Sequence, residues 1–250
     1  MLKLRVMPTL LHKDVGLVKG VAFDSWRRVG ATMQSVKVYN LRQVDELAFL
    51  DIAATPAGRG PDFAAIDEFA DECFMPLTVG GGIRSVEDVR TLLRVGADKI
   101  ALNTSALERP ALITEIAERF GAQCVVVSID ARRAGQTLRV HSHCGAQARD
   151  LSPVAWAQQA EQLGAGELLL TSIDRDGTLG GYDIELIRTV CAAVRIPVIA
   201  SGGAGCYEHM AEALRAGASA VAAASMFHFT EQTPLEAKKY LAAAGFPTRS

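Results

Sequence analysis

Two glycine-rich turns in matching positions constrain this chain more than any other feature. The first is the segment VGGGIRS at 79–85, and the second is ASGGAGC at 200–206. Each follows a short apolar run that begins with proline, and each precedes an amphipathic segment that ends in Arg-x-Gly-Ala. Gly82 and Gly203 are 121 positions apart, and the two Arg-x-Gly-Ala phrases keep the same offset. This spacing predicts a half-chain repeat with one strand-to-helix turn in each half.

Glycine at such turns has a physical meaning. Because glycine lacks a Cβ atom, its backbone can adopt positive φ and approach a ligand closely. The helix that follows presents unpaired N–H groups and the positive end of its dipole, which together bind phosphate. A single glycine cluster is equally compatible with a tight turn that binds nothing. Two clusters at matched positions favour two anion sites that face each other, and hence a small-molecule substrate with a phosphate at each end.

The composition of the chain excludes several classes of protein. The chain has 250 residues, of which 49% are hydrophobic and 22% are charged, and its formal net charge is −2. This net charge does not indicate the excess of basic residues that is typical of nucleic-acid-binding proteins. The sequence contains no run of about 18 apolar residues, so no membrane span is predicted. The first residues lack the apolar core of a signal peptide. Five scattered cysteines without a Cys-x-x-Cys pair predict reduced thiols and a cytoplasmic location.

Strand and helix patterns alternate along the whole chain. We predict strands near 4–11, 46–51, 76–80, 98–103, 124–130, 167–172, 197–201 and 220–223. Several are continuous apolar runs, as is typical of strands buried on both faces of a parallel sheet. Helices are predicted to begin at Ser85, Ser152 and Asp183, since these residue types cap helices. Eight strand–helix units in 250 residues predict an α/β fold, a (β/α)₈ TIM barrel, with a doubly wound open sheet as the alternative.

The repeat also predicts how the barrel is organised. The sequence predicts a single domain over 1–250, made of two similar half-barrels at about 1–122 and 123–250. The polar stretch at 131–149 contains two glycines. It predicts an elaborated loop after the fifth strand, compatible with a small hairpin.

Active sites of such barrels lie at the carboxyl ends of the strands, so polar groups there are the candidates. Asp130 ends an apolar strand, where a carboxylate is costly unless it is solvated, paired or functional; a helix cap or a loop salt bridge is the alternative. The segment Asp176-Gly177-Thr178 fits a phosphate-binding turn, and equally an ordinary Asp-Gly turn. The His-x-His-Cys pattern at 141–144 lacks further ligands at metal-site spacing, so we predict neither a metal nor a cofactor.

A second group of charged residues lies at the opposite ends of the strands. Two acids and two bases begin predicted strands one, two, four and six: Arg5, Glu46, Lys99 and Glu167. They predict a charged ring across the amino-terminal end of the barrel. A salt-bridge girdle that only stabilises the fold explains this ring equally well.

The whole chain resembles the cyclase subunit of imidazole glycerol phosphate synthase. The resemblance is carried by four motifs: LTVGGGIRS (77–85), GADK (96–99), LTSIDRDGT (170–178) and ASGGAG (200–205). It implies a (β/α)₈ barrel that forms a heterodimer with a glutaminase subunit. It also implies that ammonia released from glutamine travels through the barrel to a bisphosphorylated ribulosyl substrate (PRFAR). A lyase-cyclase reaction there yields imidazole glycerol phosphate and an aminoimidazole carboxamide ribotide (AICAR).

The resemblance also assigns roles to individual residues. It makes Asp130 a catalytic general acid or base, Lys19 part of the substrate loop, and Asp98 part of the face that docks the glutaminase. It makes the charged ring the gate through which ammonia passes. It distributes the remaining site residues between two phosphates, with Gly82, Asn103 and Thr104 at one, and Asp176, Gly177, Gly203, Ala224 and Ser225 at the other.

The first strand departs from the family pattern. The family has Pro-Cys-Leu-Asp-Val there, whereas this chain has PTLLH at 8–12, so that Leu11 replaces a second catalytic aspartate. Leucine cannot transfer a proton. His12 is expected to point to the opposite face of the strand, and Asp14 lies three residues further on.

Three functions remain open at this point. The loss of the second aspartate, which Leu11 replaces, favours a divergent paralogue of the family. Such a paralogue would supply ammonia for making an amidine on an amino sugar in surface-polysaccharide synthesis. The first alternative is a genuine cyclase of histidine biosynthesis, and the second is a non-catalytic scaffold that docks the glutaminase.

Overall fold

The chain folds into a closed parallel barrel. The computed structural model describes residues 3–14 and 16–249. The two ends of the predicted domain, 1–2 and 250, lie outside the described residues, as does Val15. Strands within the described part are β1 (Arg5–Lys13), β2 (Gly16–Val21), β3 (Asp24–Gly30), β4 (Leu47–Asp51), β5 (Leu77–Gly80), β6 (Lys99–Leu102), β7 (Val125–Ala134), β8 (Thr137–Ser142), β9 (Gln147–Ala148), β10 (Glu167–Ser172), β11 (Val198–Ser201) and β12 (Ala220–Ala223).

Helices connect the barrel strands and cover their outer faces. In the described part they are α1 (Thr32–Leu41), α2 (Phe63–Ala70), α3 (Val86–Arg94), α4 (Thr104–Glu108), α5 (Ala111–Phe120), α6 (Pro153–Gln162), α7 (Ile184–Ala193), α8 (Tyr207–Arg215), α9 (Ser225–Phe229) and α10 (Pro234–Ala243), with a 3₁₀ turn at Ala122–Cys124. Among these residues no helix is long and apolar enough to cross a membrane.

The strand order confirms the (β/α)₈ barrel. Parallel pairing runs β1–β4–β5–β6–β7–β10–β11–β12, and β12 pairs back to β1 with Pro8 opposite Ala223. Each of the eight predicted strands corresponds to one barrel strand, to within a few residues at each end. The predicted helix starts are also confirmed, because the side chains of Ser85, Ser152 and Asp183 accept hydrogen bonds from the first turns of α3, α6 and α7.

Alternation along the strands separates the barrel interior from the outer core. On β1, Val6 and Leu10 pack outward against the helices, whereas Met7 packs inside the barrel. The interior cluster is made of apolar side chains, namely Met7, Ala48, Ala101, Val126, Leu169, Ile199, Ala220 and Ala222. Side chains of alternate strands fill barrels of this size in layers. This apolar cluster therefore lies between the two ends of the barrel axis.

Two hairpins extend the barrel at the carboxyl ends of its strands. The fifth barrel strand, β7, continues into a hairpin with β8, in which Asp130 pairs with His141. The polar segment 131–149 was predicted to be an elaborated loop compatible with such a hairpin. The hairpin β2–β3 after the first strand was not predicted. It pairs with β1 through the register Leu11–Val18, and we call β2–β3 the lid hairpin.

The two glycine turns share features of their backbone geometry. Gly82 and Gly203 both have positive φ, at 74° and 115°. Asn103 and Ala224, also 121 positions apart, share a rare conformation with φ near −120° and negative ψ, and each precedes a five-residue helix. The division into half-barrels remains a prediction, and this matched geometry supports it.

Candidate active site

A single cavity collects the residues predicted for the substrate. It opens at the carboxyl ends of the barrel strands, where active sites of such barrels lie. Its wall contains every residue assigned to catalysis, to the substrate loop and to the two phosphates: Lys19, Gly82, Asn103, Thr104, Asp130, Asp176, Gly177, Gly203, Ala224 and Ser225. The lid hairpin contributes Phe23 and Trp26 to the same wall.

Asp130 has the most unusual environment in this cavity. Its carboxylate accepts hydrogen bonds from Asn103 Nδ2 at 3.2 Å and from Ser128 Oγ at 3.4 Å. Burial raises the pKa of Asp130 to about 7, the charge of Asp176 adds to the rise, and the Ser128 hydrogen bond opposes it. Both protonation states are therefore accessible near neutral pH, as a general acid or base requires.

Two other carboxylates of the cavity wall are paired with cations. The Asp51 carboxylate forms an ion pair with the Arg59 guanidinium, with an N–O distance of 2.7 Å. The Asp176 carboxylate forms an ion pair with Lys19 Nζ at 2.5 Å. Lys19 reaches Asp176 from the lid hairpin, and the backbone N–H of Ala22 also donates to the carbonyl of Asp176. Asp130 differs from both because its hydrogen-bond donors, Asn103 and Ser128, are neutral.

The polar residues at the first glycine turn already have partners within the protein. Asn103 Nδ2 also donates to the carbonyls of Ser128 and His141, so this side chain fixes the end of β7 beneath Asp130. Thr104 Oγ1 accepts from the N–H of His143 at 2.9 Å. Any contact of these two residues with phosphate would therefore come largely from their backbone N–H groups.

The glycines of the turns are required by packing as well as by φ. A Cβ atom on Gly203 would lie 2.2 Å from the carbonyl oxygen of Gly181, and one on Gly82 would lie 2.8 Å from that of Arg59. Gly177 is confined in the same way by the lid hairpin, with its Cβ position 2.2 Å from the carbonyl oxygen of Gly20. Close packing thus explains these glycines without a ligand, while leaving their N–H groups beside the cavity.

The predicted hydroxyl of the Asp-Gly-Thr turn does not reach the cavity. Thr178 Oγ1 donates to the carbonyl of Arg175 at 2.7 Å and accepts from Gly180 N–H, which closes an ordinary turn. Thr178 is exposed and is absent from the cavity wall. These contacts favour an ordinary Asp-Gly turn, and a phosphate-binding role for this hydroxyl stays a prediction.

The first strand presents an apolar side chain where proton transfer was expected. Leu11 is 9% exposed and lines the cavity. His12 points away, with its ring packed 5.5 Å from that of Phe49 in the outer core. Asp14 is exposed and lies outside the cavity wall. Of these three residues, only Leu11 lines the cavity.

The four charged residues at the opposite end form a closed ring. Arg5 bonds to Glu46 at 2.6 Å and to Glu167, and Lys99 bonds to the same two carboxylates at 2.9 Å each. Burial alone would raise the pKa of Glu46, but Lys99 and Arg5 hold it below its usual value. Thr78 Oγ1 donates a further hydrogen bond to Glu46 at 2.8 Å. The ring is thus satisfied as a structural feature, whatever else it does.

Asp98 lies beside this ring on the same face. It is exposed, and its Oδ2 accepts a hydrogen bond from the N–H of Leu77 at 2.8 Å. It therefore has a local role at the start of β5, in addition to the docking role that the resemblance assigned to it.

The other predicted candidates are engaged locally. His141 Nδ1 is 3.0 Å from the carbonyl oxygen of Gly145, and His143 Nδ1 is 3.1 Å from Ser142 Oγ. Burial raises the pKa of the Cys144 thiol to about 12, helped by the charges of Asp130 and Asp51. This thiol therefore stays protonated at neutral pH and donates to the Ile52 carbonyl.

Comparison with known proteins places the chain in a family. The fold and the cavity define a (β/α)₈-barrel protein with its candidate active site at the carboxyl ends of the strands. Residues 5–233 match the family model described as histidine biosynthesis protein. The chain is 51% identical over the full length of both chains to the imidazole glycerol phosphate synthase subunit HisF of Hyphomonas neptunium. It is 49% identical to the proteins of the same name from Corynebacterium glutamicum and Corynebacterium diphtheriae, over 98% of each chain.

The chain belongs to the histidine biosynthesis protein family and is similar to its HisF subunits. The resemblance drawn from the four sequence motifs is thereby confirmed. The comparisons support the genuine HisF alternative better than the divergent amino-sugar paralogue that the first strand had favoured.

Proposed function

We propose that this chain is the synthase subunit of a two-component glutamine amidotransferase. It takes ammonia from a separate HisH-like glutaminase subunit and uses it in a cavity that holds a doubly phosphorylated small molecule. The observation that carries the proposal is the arrangement along one barrel axis. The closed charged ring lies at one end, and the cavity with Asp130 and both glycine turns lies at the other.

The first candidate reaction is the conversion of PRFAR to imidazole glycerol phosphate and AICAR, as in histidine biosynthesis. Full-length identity of 51% to a protein named as an imidazole glycerol phosphate synthase subunit supports it. This reverses the preference that the first strand alone suggested. Asp130 is its general acid or base, and the pKa of about 7 favours an enzyme over a scaffold that only docks a glutaminase.

The second candidate is the transfer of ammonia to a different acceptor, towards an amidine on an amino sugar for a surface polysaccharide. One observation favours it. Leu11 presents a hydrocarbon surface on the strand opposite Asp130, since β1 and β7 are four strands apart in the eight-stranded barrel. A reaction that needs two proton-transfer groups on opposite walls is poorly served by this arrangement.

The ring and the apolar interior would act on ammonia in sequence. An ammonia molecule from the glutaminase meets Arg5, Glu46, Lys99 and Glu167 first, and at least one of their ion pairs must part to let it through. The apolar cluster beyond contains four alanines, which leave more room along the axis than larger residues would. Such a cluster would also disfavour the charged ammonium ion.

Each phosphate would be held by backbone N–H groups at one glycine turn, with Lys19 supplying a cation at the second. Asp176 would then position the Lys19 ammonium instead of binding phosphate directly, because two anions repel each other. The cytoplasmic location, the heterodimer with the glutaminase, and the lack of a nucleic-acid or membrane partner stay predictions.

Turnover of PRFAR by the purified chain with ammonium salt at alkaline pH tests the first candidate directly. We expect formation of imidazole glycerol phosphate and AICAR in equal amounts, measured by chromatography. Turnover at least tenfold faster after addition of a cognate glutaminase and glutamine would support the ammonia path. No product from PRFAR under either condition would reject the first candidate and leave the second.

Asp98→Lys is expected to weaken the complex with the glutaminase. The change places a positive charge on the exposed face beside the ring, and reversing one member of an interfacial charge pair costs several kcal/mol. Because Asp98 also accepts from Leu77 N–H, Asp98→Asn serves as a control that keeps an oxygen acceptor. Calorimetric titration of the glutaminase should show a much larger loss of affinity for the lysine variant. Equal affinities for wild type and Asp98→Lys would place the docking face elsewhere.

A further inference from the structure

Two buried hydroxyl groups in the cavity wall have no hydrogen-bond partner. In the described residues, four buried side-chain polar atoms lack a partner, on Thr9, His12, Trp156 and Ser225. Only Thr9 and Ser225 belong to the cavity wall. They are 7% and 6% exposed. Buried polar groups in native proteins are nearly always paired, so two hydroxyls on one cavity wall without a partner in the protein are available to a ligand.

The two hydroxyls are carried by neighbouring elements. Pro8 on β1 lies opposite Ala223 on β12. Thr9 is the next residue of β1, so it lies near the start of α9 at Ser225. The inward positions of β1 are Arg5, Met7, Thr9 and Leu11, because alternate residues face the same side. Thr9 therefore lies between the apolar cluster and the cavity mouth, next to the second glycine-turn site.

The surroundings of these hydroxyls carry one nearby cation. The ring of His228 on α9 is hydrogen-bonded to the backbone of Thr9. Burial lowers the pKa of His228, the Lys19 charge lowers it further, and the Thr9 hydrogen bond opposes both effects. The lowered pKa of His228 favours its neutral form, so Lys19 supplies the positive charge of this wall. Two hydroxyl donors in a wall that also contains an ammonium group suit an anionic oxygen ligand.

We propose that Thr9 is a ligand-binding residue of the second phosphate site, and that its hydroxyl donates a hydrogen bond to the phosphate group held at Ser225. The inference rests on the phosphate site of the proposed function and adds a residue that neither the motifs nor the family resemblance assigned. The Thr9 hydroxyl has no hydrogen-bond partner within the protein. Rotation about the Cα–Cβ bond lets it turn towards a ligand.

This role predicts opposite effects on stability and on binding. Thr9→Val keeps the shape of the side chain but removes a hydroxyl that the free protein leaves unsatisfied. The variant should therefore unfold at a temperature equal to or about 2–4 °C above that of wild type. It should also bind inorganic phosphate at this site roughly ten- to a hundredfold more weakly, because a hydrogen bond to a charged group is lost. Thr9→Ser should bind as wild type does.

The test is a calorimetric phosphate titration of the full chain, with thermal unfolding in phosphate-free buffer. Ser225→Ala identifies which binding step belongs to this site, and Thr9→Val should weaken that same step. Thr78→Val is the matched stability control, since the Thr78 hydroxyl is paired with Glu46 at 2.8 Å and its loss should lower the unfolding temperature.

Three results would overturn the inference. They are phosphate binding by Thr9→Val that equals wild type, a fall in unfolding temperature like that of Thr78→Val, and no phosphate binding by the wild-type chain. Failure of the proposed reaction is a separate outcome. Phosphate binding that depends on Thr9, in a chain that does not convert PRFAR, would sustain the inference and reject the reaction.

Discussion

Leu11→Asp is expected to raise the rate at which the chain converts PRFAR and ammonia by about 10²–10⁴-fold. Leu11 faces the cavity on β1, opposite Asp130 on β7. Asp130 cannot donate and accept protons at the same instant, so a second carboxylate on the facing wall would divide the two duties. The gain corresponds to roughly 3–5 kcal/mol of activation free energy. Initial rates of imidazole glycerol phosphate formation with free ammonia provide the measurement.

Leu11→Asn is the matched control for this change. Asparagine has the size and polarity of aspartate but cannot transfer a proton, so its rate should stay at the wild-type level. The unfolding temperatures of both variants should be compared, because a new polar group at a buried position costs stability. A folded Leu11→Asp variant that is no faster than Leu11→Asn would mean that the cavity is not built for this cyclisation. The second candidate reaction would then be preferred.

Asp130→Asn should have a similarly large effect in the opposite direction. Loss of the single cavity carboxylate whose partners are neutral donors should lower turnover by about 10²–10⁴-fold. The rate of the wild-type chain should change with pH around the Asp130 pKa of about 7. That inflection should disappear from the residual rate of the variant.

The same substitution should stabilise the protein at alkaline pH. The pKa of Asp130 is raised from 3.8 to about 7 in the folded state, mainly by burial. Between these values the folded protein holds a proton that the unfolded chain has released, so the free energy of unfolding falls as pH rises. Asp130→Asn has no such proton. Its stability relative to wild type should therefore grow from about pH 4 to pH 8, by at most about 4 kcal/mol.

Urea unfolding at pH 5, 6.5 and 8 measures this difference. Asp150→Asn is the control, because the Asp150 side chain is 98% exposed and should show no pH-dependent difference from wild type. A stability difference between Asp130→Asn and wild type that stays constant over this range would show that Asp130 titrates normally.

The architecture could be predicted because local and global signals agree in this chain. Apolar runs such as 124–130 are both good strands and buried ones, and Ser85, Ser152 and Asp183 supply the caps that start the helices between them. The clustering of the site residues also followed from the sequence. In a closed parallel barrel, whatever follows a strand must lie around one cavity mouth.

The lid hairpin and the partners of the site residues depended on tertiary contacts that leave no periodic signal. The lid hairpin contains three residues in the left-handed region, Ala22, Phe23 and Ser25. Its pairing register also shifts twice, between Leu17 and Val18 and between Lys19 and Val21. The pair Asn103–Asp130 joins residues at the ends of two different strands, so spacing alone could not reveal it. The pair Asp51–Arg59 joins the end of β4 to the segment that follows it, where the sequence has no periodic signal.

The lid hairpin has a consequence for how tightly any substrate is held. Lys19 is only 2% exposed and is already paired with Asp176 before a ligand arrives. A phosphate group at the second turn must therefore compete with Asp176 for the same ammonium. If the competent arrangement is a minor population of the free protein, the dissociation constant is raised by the inverse of that fraction. Each 1.4 kcal/mol of preference for the closed pair weakens apparent binding tenfold. Under the proposed function, the Lys19–Asp176 pair would therefore set the substrate concentration at which the chain works.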